Sequence, residues 1–413
     1  MSGPLAGIKV LDLSRILAGP WATQVLADYG AEVIKIERPN AGDDTRHWGP
    51  PYHITRSKEE LSAYFLSTNR GKQSVAVDIS TPEGQAIIKK LSRECDVFIE
   101  NFKVGGLEPY GLDYNSIKGV NPHIIYCSIT GFGQDGPYAQ KAGYDAIIQA
   151  MGGLMSITGE PDDQLGAGPQ KVGVAVSDLM TGMYAVSAIL AALYYRVHGG
   201  EGQYIDLALM DTQVAWLANQ GMNFLVSGES PGRQGTAHPN IVPYQTIEAS
   251  DGYFMLAVGN DRQFEHFCQV IGRSELIQDD RFRTNRNRVN NRELLISIIQ
   301  SVTQQKPRAY WLKQLDDVKV PCGPINSIKE VFNDPQVKFR SMLQSIKLSM
   351  NETINCVGNP VKFSKTPIEY RKAPPVLAED TIQVLKGAGY SESTIQDLIK
   401  LGVINGYGSE NGD

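Results

Sequence analysis

The chain has 413 residues, 42% of them hydrophobic and 20% charged, with a formal net charge of −6 at pH 7. That length exceeds what a single core usually fills, so about two domains are expected, and an acidic balance with no Lys/Arg block excludes nucleic acid as the main partner. Five cysteines without C-x-x-C spacing and six scattered histidines form neither a disulfide framework nor a metal cluster, and they fit a reducing, cytoplasmic compartment or a mitochondrial matrix.

In chain order, Met1–Leu5 leads almost at once into a predicted strand over Ile8–Leu13, with no signal peptide, transit peptide or run of about 18 apolar residues. A helix over Trp21–Tyr29 closes at Gly30. Further strands are predicted at Ala31–Glu37, Gln73–Ile79, Cys95–Glu100 and His123–Ile129. Between them, Pro82 near the first helical position and a Ser80-x-x-Glu83 capping box announce a helix. Strands this apolar, separated by helical stretches, imply a mainly parallel sheet covered on both faces.

A long Ala-rich helix runs over Met183–Tyr195, then the Gly199–Gln203 turn enters a strand over Tyr204–Leu209. Residues 213–239 read as a linker holding one helix. From Ile241 the pattern changes to a hairpin, Val242–Glu248 and Tyr253–Val258 split by Ser250-Asp251-Gly252. Helices near Gln263–Ile271, Arg292–Thr303 and Pro307–Leu315 follow, then a turn at Pro321–Pro324. Two helical pieces, Thr381–Lys386 and Ser393–Leu401, lie in the tail.

The opening strand–turn–helix–strand has the length of a dinucleotide-binding unit, but Ser14-Arg15-Ile16-Leu17-Ala18-Gly19-Pro20 carries one glycine where that fingerprint needs three. Arg15, Arg38 and Arg46 at the ends of parallel strands suit a phosphorylated ribose such as that of coenzyme A; they serve equally well as salt-bridge formers. Asp178, in Val174-Ala175-Val176-Ser177-Asp178, falls in the first turn of a helix, where free N–H groups and the helix dipole would hold its carboxylate ionised and oriented. Gly182, one turn on, would clear space beside it. Such a carboxylate can cap the helix or attack an acyl group, and the residues alone leave both open.

Taken together, Leu11–Arg15 with Ala18-Gly19-Pro20, Gly30–Pro39, Gly42–Arg46, Asn69–Ser74, Glu100-Asn101-Phe102, Gly143-Tyr144-Asp145, Asp178-x-x-Thr181-Gly182, Gly202-Gln203 and Gly323-Pro324-Ile325 resemble the family III CoA-transferases, the CaiB–BaiF group. The resemblance runs in order over nearly the whole chain. It implies an α/β fold: a Rossmann-like large domain built from both chain ends (1–200 and, after a return linker, 321–413), a linker over 201–240, and a small α+β domain over 241–320. It also implies an interlocked homodimer and no membrane partner.

The activity implied is transfer of CoA from an acyl-CoA, succinyl-CoA foremost, to a free dicarboxylic acid, glutarate foremost, with malate, itaconate or oxalate as alternatives. Asp178 would be the nucleophile, passing through an aspartyl anhydride and an aspartyl-CoA thioester. Coenzyme A would be a substrate carrier, with no tightly bound cofactor and no metal. Arg15, Leu17, Ala18, Arg38, Asn101 and Phe102 match CoA-contacting segments, and Tyr144 a tyrosine near the active site. Arg46 and Arg70 are candidates for a distal carboxylate, since a guanidinium pairs with one at two points. His238 is a candidate loop residue. A racemase of the same fold needs a Gly-His-Asp base, which Gly143-Tyr144-Asp145 lacks; a non-catalytic CoA-binding protein is the remaining alternative.

Overall fold

The computed structural model describes residues 3–56, 58–348 and 352–407. Its contacts divide the chain into two compact units, one drawn from Met1–Gly153, Val172–Gly221 and Gln336–Asp413, the other from Leu154–Lys171 and Met222–Pro335. The strands are β1 (Lys9–Asp12), β2 (Glu32–Glu37), β3 (Tyr52–Ile54), β4 (Glu60–Ser62), β5 (Lys72–Val77), β6 (Val97–Glu100), β7 (Ile125–Thr130), β8 (Tyr204–Ala208), β9 (Tyr244–Ala249), β10 (Gly252–Ala257), β11 (Cys322–Pro324), β12 (Leu343–Lys347), β13 (Thr353–Val357) and β14 (Ile404–Asn405). The helices that matter to the site are α1 (Ala18–Asp28), α2 (Ala63–Thr68), α3 (Pro82–Ser92), α4 (Tyr114–Val120), α5 (Asp145–Met151), α6 (Leu154–Ile157), α7 (Val176–Val197) and α8 (Leu209–Ala215).

The first unit holds a seven-stranded sheet in the order β14-β5-β2-β1-β6-β7-β8. Every pairing in it is parallel except β14 on β5. Side chains alternate between the two faces of each strand, so Leu11, Ile34, Val75, Phe98 and Tyr126 fill one core with Leu385, Ile395 and Ile404 from the tail. Val10, Val33, Val97, Ile125 and Cys127 fill the other, under α1 and α7. Each such aliphatic side chain contributes about 1.5–3 kcal/mol on burial. Progression from β1 runs outward through β2 and β5 on one side, then through β6, β7 and β8 on the other. The switch point between β1 and β6 leaves a crevice at the carboxyl ends of the strands, where ligands of such folds bind.

The second unit packs Ile247, Phe254 and Leu256 of its antiparallel sheet, β11-β10-β9, with Val242 just before it, against Phe264, Phe267, Leu295, Ile299 and Trp311.

Several local expectations shift. The cap of α3 is Thr81, whose Oγ1 accepts from Gly84 N at 3.0 Å; Ser80 instead donates to Asp78 at 2.7 Å, which moves the helix start one residue on. Residues 322–324 of the expected turn form β11, because Gly323 and Cys322 pair with Met255 and Leu256. Residues 201–221 are not a linker: β8 pairs along β7, and α8 packs behind it, so both belong to the first unit. The Ala-rich helix begins at Val176, which puts Asp178 in its first turn as the sequence suggested. By length and composition α7 could cross a membrane; half of that window is buried, as in a core helix.

Candidate active site

At the switch point, β1 ends in Asp12, a fully buried carboxylate that organises the following loop. It accepts from Ser14 N at 2.9 Å, from the Ser14 and Thr23 hydroxyls at 2.5 Å each, and from Lys72 Nζ at 3.2 Å. Burial opposes this charge, and Lys72 with Lys35 outweighs it, holding the carboxyl below its ordinary range. Lys35 Nζ also donates to Ser14 O and to Asp43, each at 2.9 Å. Asp43 in turn receives Ile16 N at 3.3 Å, at a β-branched residue held at φ 73°, a conformation such residues avoid. A buried ionic web thus fixes a strained loop.

From that loop, Arg15 is clamped by Asn101 in both directions: Arg15 N donates to Asn101 Oδ1 at 2.8 Å, and Asn101 Nδ2 donates to Arg15 O at 2.7 Å. The Arg15 guanidinium pairs with Asp44 at 3.0 Å and lies 5.5 Å from the Phe102 ring, while its buried Nε has no hydrogen-bond partner. After β7, Gly131 and Gly143 bring two backbones together, for a Cβ on Gly143 would stand 2.4 Å from Gly131 Cα. This contact sets Tyr144 and Asp145 beside the carboxyl end of β7.

These elements enclose a cavity of about 480 Å³ lined by Arg15, Ala18, Asn101, Phe102, Tyr144 and Asp178, and also by Ile16, Asp44, Trp48, Lys103, Lys141 and Asp145. The volume is that of an ordinary small-molecule site. Arg38 lies outside it, pairing with Asp44 at 2.7 Å and lining a smaller cleft shared with Arg15 and Phe102. Leu17 is buried and lines neither.

Asp178 is half-buried at the third position of α7. Its charge is not eased by free helix N–H groups, as the sequence suggested. Asp145 Oδ1 takes the N–H of Ser177 at 2.9 Å and approaches that of Asp178 at 3.4 Å. Burial and the Asp145 charge push the Asp178 carboxyl up to about 7. Gly182 opens no room for a ligand either: a Cβ there would lie 2.7 Å from Ala18 O and 3.0 Å from Trp21, so it lets α1 and α7 touch.

The two arginines expected to hold a distal carboxylate do not line the cavity. Arg46 forks onto buried Glu37 at 2.7 and 2.8 Å and covers the Phe65 ring, and Arg70 forks onto Asp28 at 2.6 and 2.9 Å while donating to Val357 O. Both guanidiniums are consumed by internal ion pairs. His238 belongs to the second unit, where its Nδ1 accepts from Asn240 N at 3.1 Å and its ring stacks on Tyr244.

Residues that sequence reasoning passed over are Lys103, Lys141, Trp48, Tyr64 and Asp145. Tyr64, edge-on to Trp48, is pushed up to about 12 by burial and by the charges of Asp178, Asp145 and Asp43. The available signal was position: each lysine follows a strand's carboxyl end. Among the described residues no cluster of His, Cys, Asp or Glu could hold a metal ion.

Residues 5–381 match the profile of CoA-transferase family III. The chain belongs to that family. It is a CoA-transferase, and coenzyme A is accordingly its substrate carrier. It is 51% identical over 383 residues to a succinate–glutarate CoA-transferase from Agrobacterium fabrum, covering 92% of this chain and 95% of that one. It is 44% identical over 403 residues to the succinyl-CoA:glutarate CoA-transferase of Homo sapiens, covering 97% and 90%. The crystal structure of a CaiB/BaiF family protein from Brucella suis superposes with a TM-score of 0.83 at 49% identity, covering 94% of this chain and all of that one.

Proposed function

We propose that this CoA-transferase moves CoA between succinyl-CoA and glutarate through covalent intermediates on Asp178. The observation that carries the reading is a carboxyl group set in the wall of a cavity that also gathers Arg15, Lys103 and Lys141. Those cations suit the phosphates of CoA, and Arg15 brings a buried donor still without a partner. The relatives' names point to succinate and glutarate as the acid pair.

In the first step an Asp178 oxygen attacks the thioester carbonyl, the C–S bond breaks, and CoA leaves as thiolate. The thiolate attacks the Asp178 carbonyl of the anhydride, freeing succinate and leaving aspartyl-CoA. Glutarate then attacks that thioester, and the returning thiolate takes the glutaryl group, restoring the Asp178 carboxylate. A carboxylate nucleophile keeps the acyl group activated at every stage, so the transfer potential of the thioester passes on to the acceptor acid.

The test is incubation with succinyl-CoA and glutarate, malate, itaconate, oxalate or no acid, with mass spectrometry of the acyl-CoAs. Glutaryl-CoA formed by the wild type and absent with Asp178→Ala is the expected result. Transfer to a different acid alone would overturn the substrate assignment, and full activity of Asp178→Ala would overturn the mechanism.

A further inference from the structure

We infer that Asp145 is the positioning residue of Asp178: its carboxylate caps the start of α7 and confronts the Asp178 carboxylate with a like charge. The inference rests on the reading of Asp178 as nucleophile. Helix α7 has no cap of its own, since position 175 is alanine. The cap comes from another element, α5, through Asp145 Oδ1 on Ser177 N at 2.9 Å. The other Asp145 oxygen is itself fixed, accepting from Gln149 Nε2 at 2.7 Å, and Gln149 Oε1 accepts from Val172 N at 2.9 Å. Ser177 is held again from α8, its hydroxyl donating to Gln213 Oε1 at 2.7 Å. The residue preceding Asp178 is therefore gripped by two helices, and the nucleophile inherits that precision.

Charge adds to position. The groups around Asp178 are Asp145 from α5, Tyr64 from α2, and the cavity-lining Tyr144, Lys141, Lys103, Arg15 and Asp44 from loops. Asp178 forms no ion pair among the described residues. Arg15 is drawn to Asp44, and Lys141 lies over the Tyr138 ring at 3.9 Å. Asp145 is thus the charge that acts on the resting carboxylate, in the direction that raises its basicity. A more basic carboxylate is a stronger nucleophile. Acylation removes the Asp178 charge, so the repulsion is relieved as the anhydride forms.

The experiment is the pH profile of kcat/KM for acyl transfer in the wild type, Asp145→Asn and Asp145→Ser, with Asp178→Ala in parallel and thermal melts confirming folding. Both substitutions keep a side-chain acceptor for the Ser177 N–H and remove the charge. The acidic limb is expected to lie at lower pH in both variants than in the wild type, with kcat falling at pH 8 and KM for acyl-CoA unchanged. An unmoved limb in both variants alongside an inactive Asp178→Ala would overturn the role of Asp145 and leave the nucleophile standing. Full transfer by Asp178→Ala would remove the nucleophile and this inference together.

Discussion

Replacing Asp178 by Asn should stabilise the protein while abolishing transfer. The carboxyl is pushed from 3.8 to about 7 by its burial and by Asp145. At about 1.4 kcal/mol per unit, its ionisation costs the folded state up to about 4 kcal/mol. Solvent reaching the half-buried group reduces this ceiling to about 3 kcal/mol. The sign follows from linkage. Between pH 3.8 and 7 the folded protein holds a proton that the unfolded chain has lost, so stability contributed by this group falls as pH rises through that window. Below it the cost vanishes, and above it the cost is complete. Chemical denaturation of wild type and Asp178→Asn at pH 5 and pH 8 should show the variant more stable at both, with the advantage shrinking to roughly 2 kcal/mol or less at pH 5. If Asp178 were instead a helix cap, Asn would cap about as well and the variant would match the wild type in stability at both pH values. That result, or an advantage equal at the two pH values, would refute the electrostatic reasoning.

Glu100, almost fully buried, is pushed up by burial to about 7; Glu100→Gln should gain up to about 3 kcal/mol at pH 8 and nothing below pH 4.5, measured by the same titrations. Arg70→Ala should cost about 3–5 kcal/mol by leaving Asp28 buried and unpaired, with KM for the acceptor acid unchanged in protein assayed below its melting temperature. Gly182→Ala should cost about 1–3 kcal/mol through its contact with Ala18 O. Because Ala18 lines the cavity, the same change should raise KM for acyl-CoA.

The parallel sheet was legible because its strands are covered on both faces, which forces continuous apolar runs such as Val97-Phe98-Ile99 and Ile124-Ile125-Tyr126. The loops after β1 and β6 were legible through motif, and the cavity does gather Arg15, Ala18, Asn101 and Phe102. Arg46 and Arg70 misled because an arginine's partner is set in three dimensions: Glu37 and Asp28 lie on other elements, nine and 42 residues away. Asp145 escaped for the same reason, since it caps a helix that begins about 30 residues later. Ser80 and Thr81 are both good capping residues whose hydroxyls donate to Asp78, and only the reach of Gly84 N to Thr81 Oγ1 distinguished them.

The pairing of β14 with β5 has a consequence for biosynthesis. Strand β5 has its backbone and side-chain groups met from the tail: Ala76 N donates to Thr381 Oγ1, 305 residues away, and Ser74 N donates to Asp380. At translation rates of about 5–20 residues per second, on the order of 15–60 s pass between the two appearing. During that time the nascent chain carries an uncovered strand edge and the apolar seats of Leu385, Ile395 and Ile404. The first half of the protein is made long before it can be finished, and its open strand edge is available for edge-to-edge pairing while it is still on the ribosome.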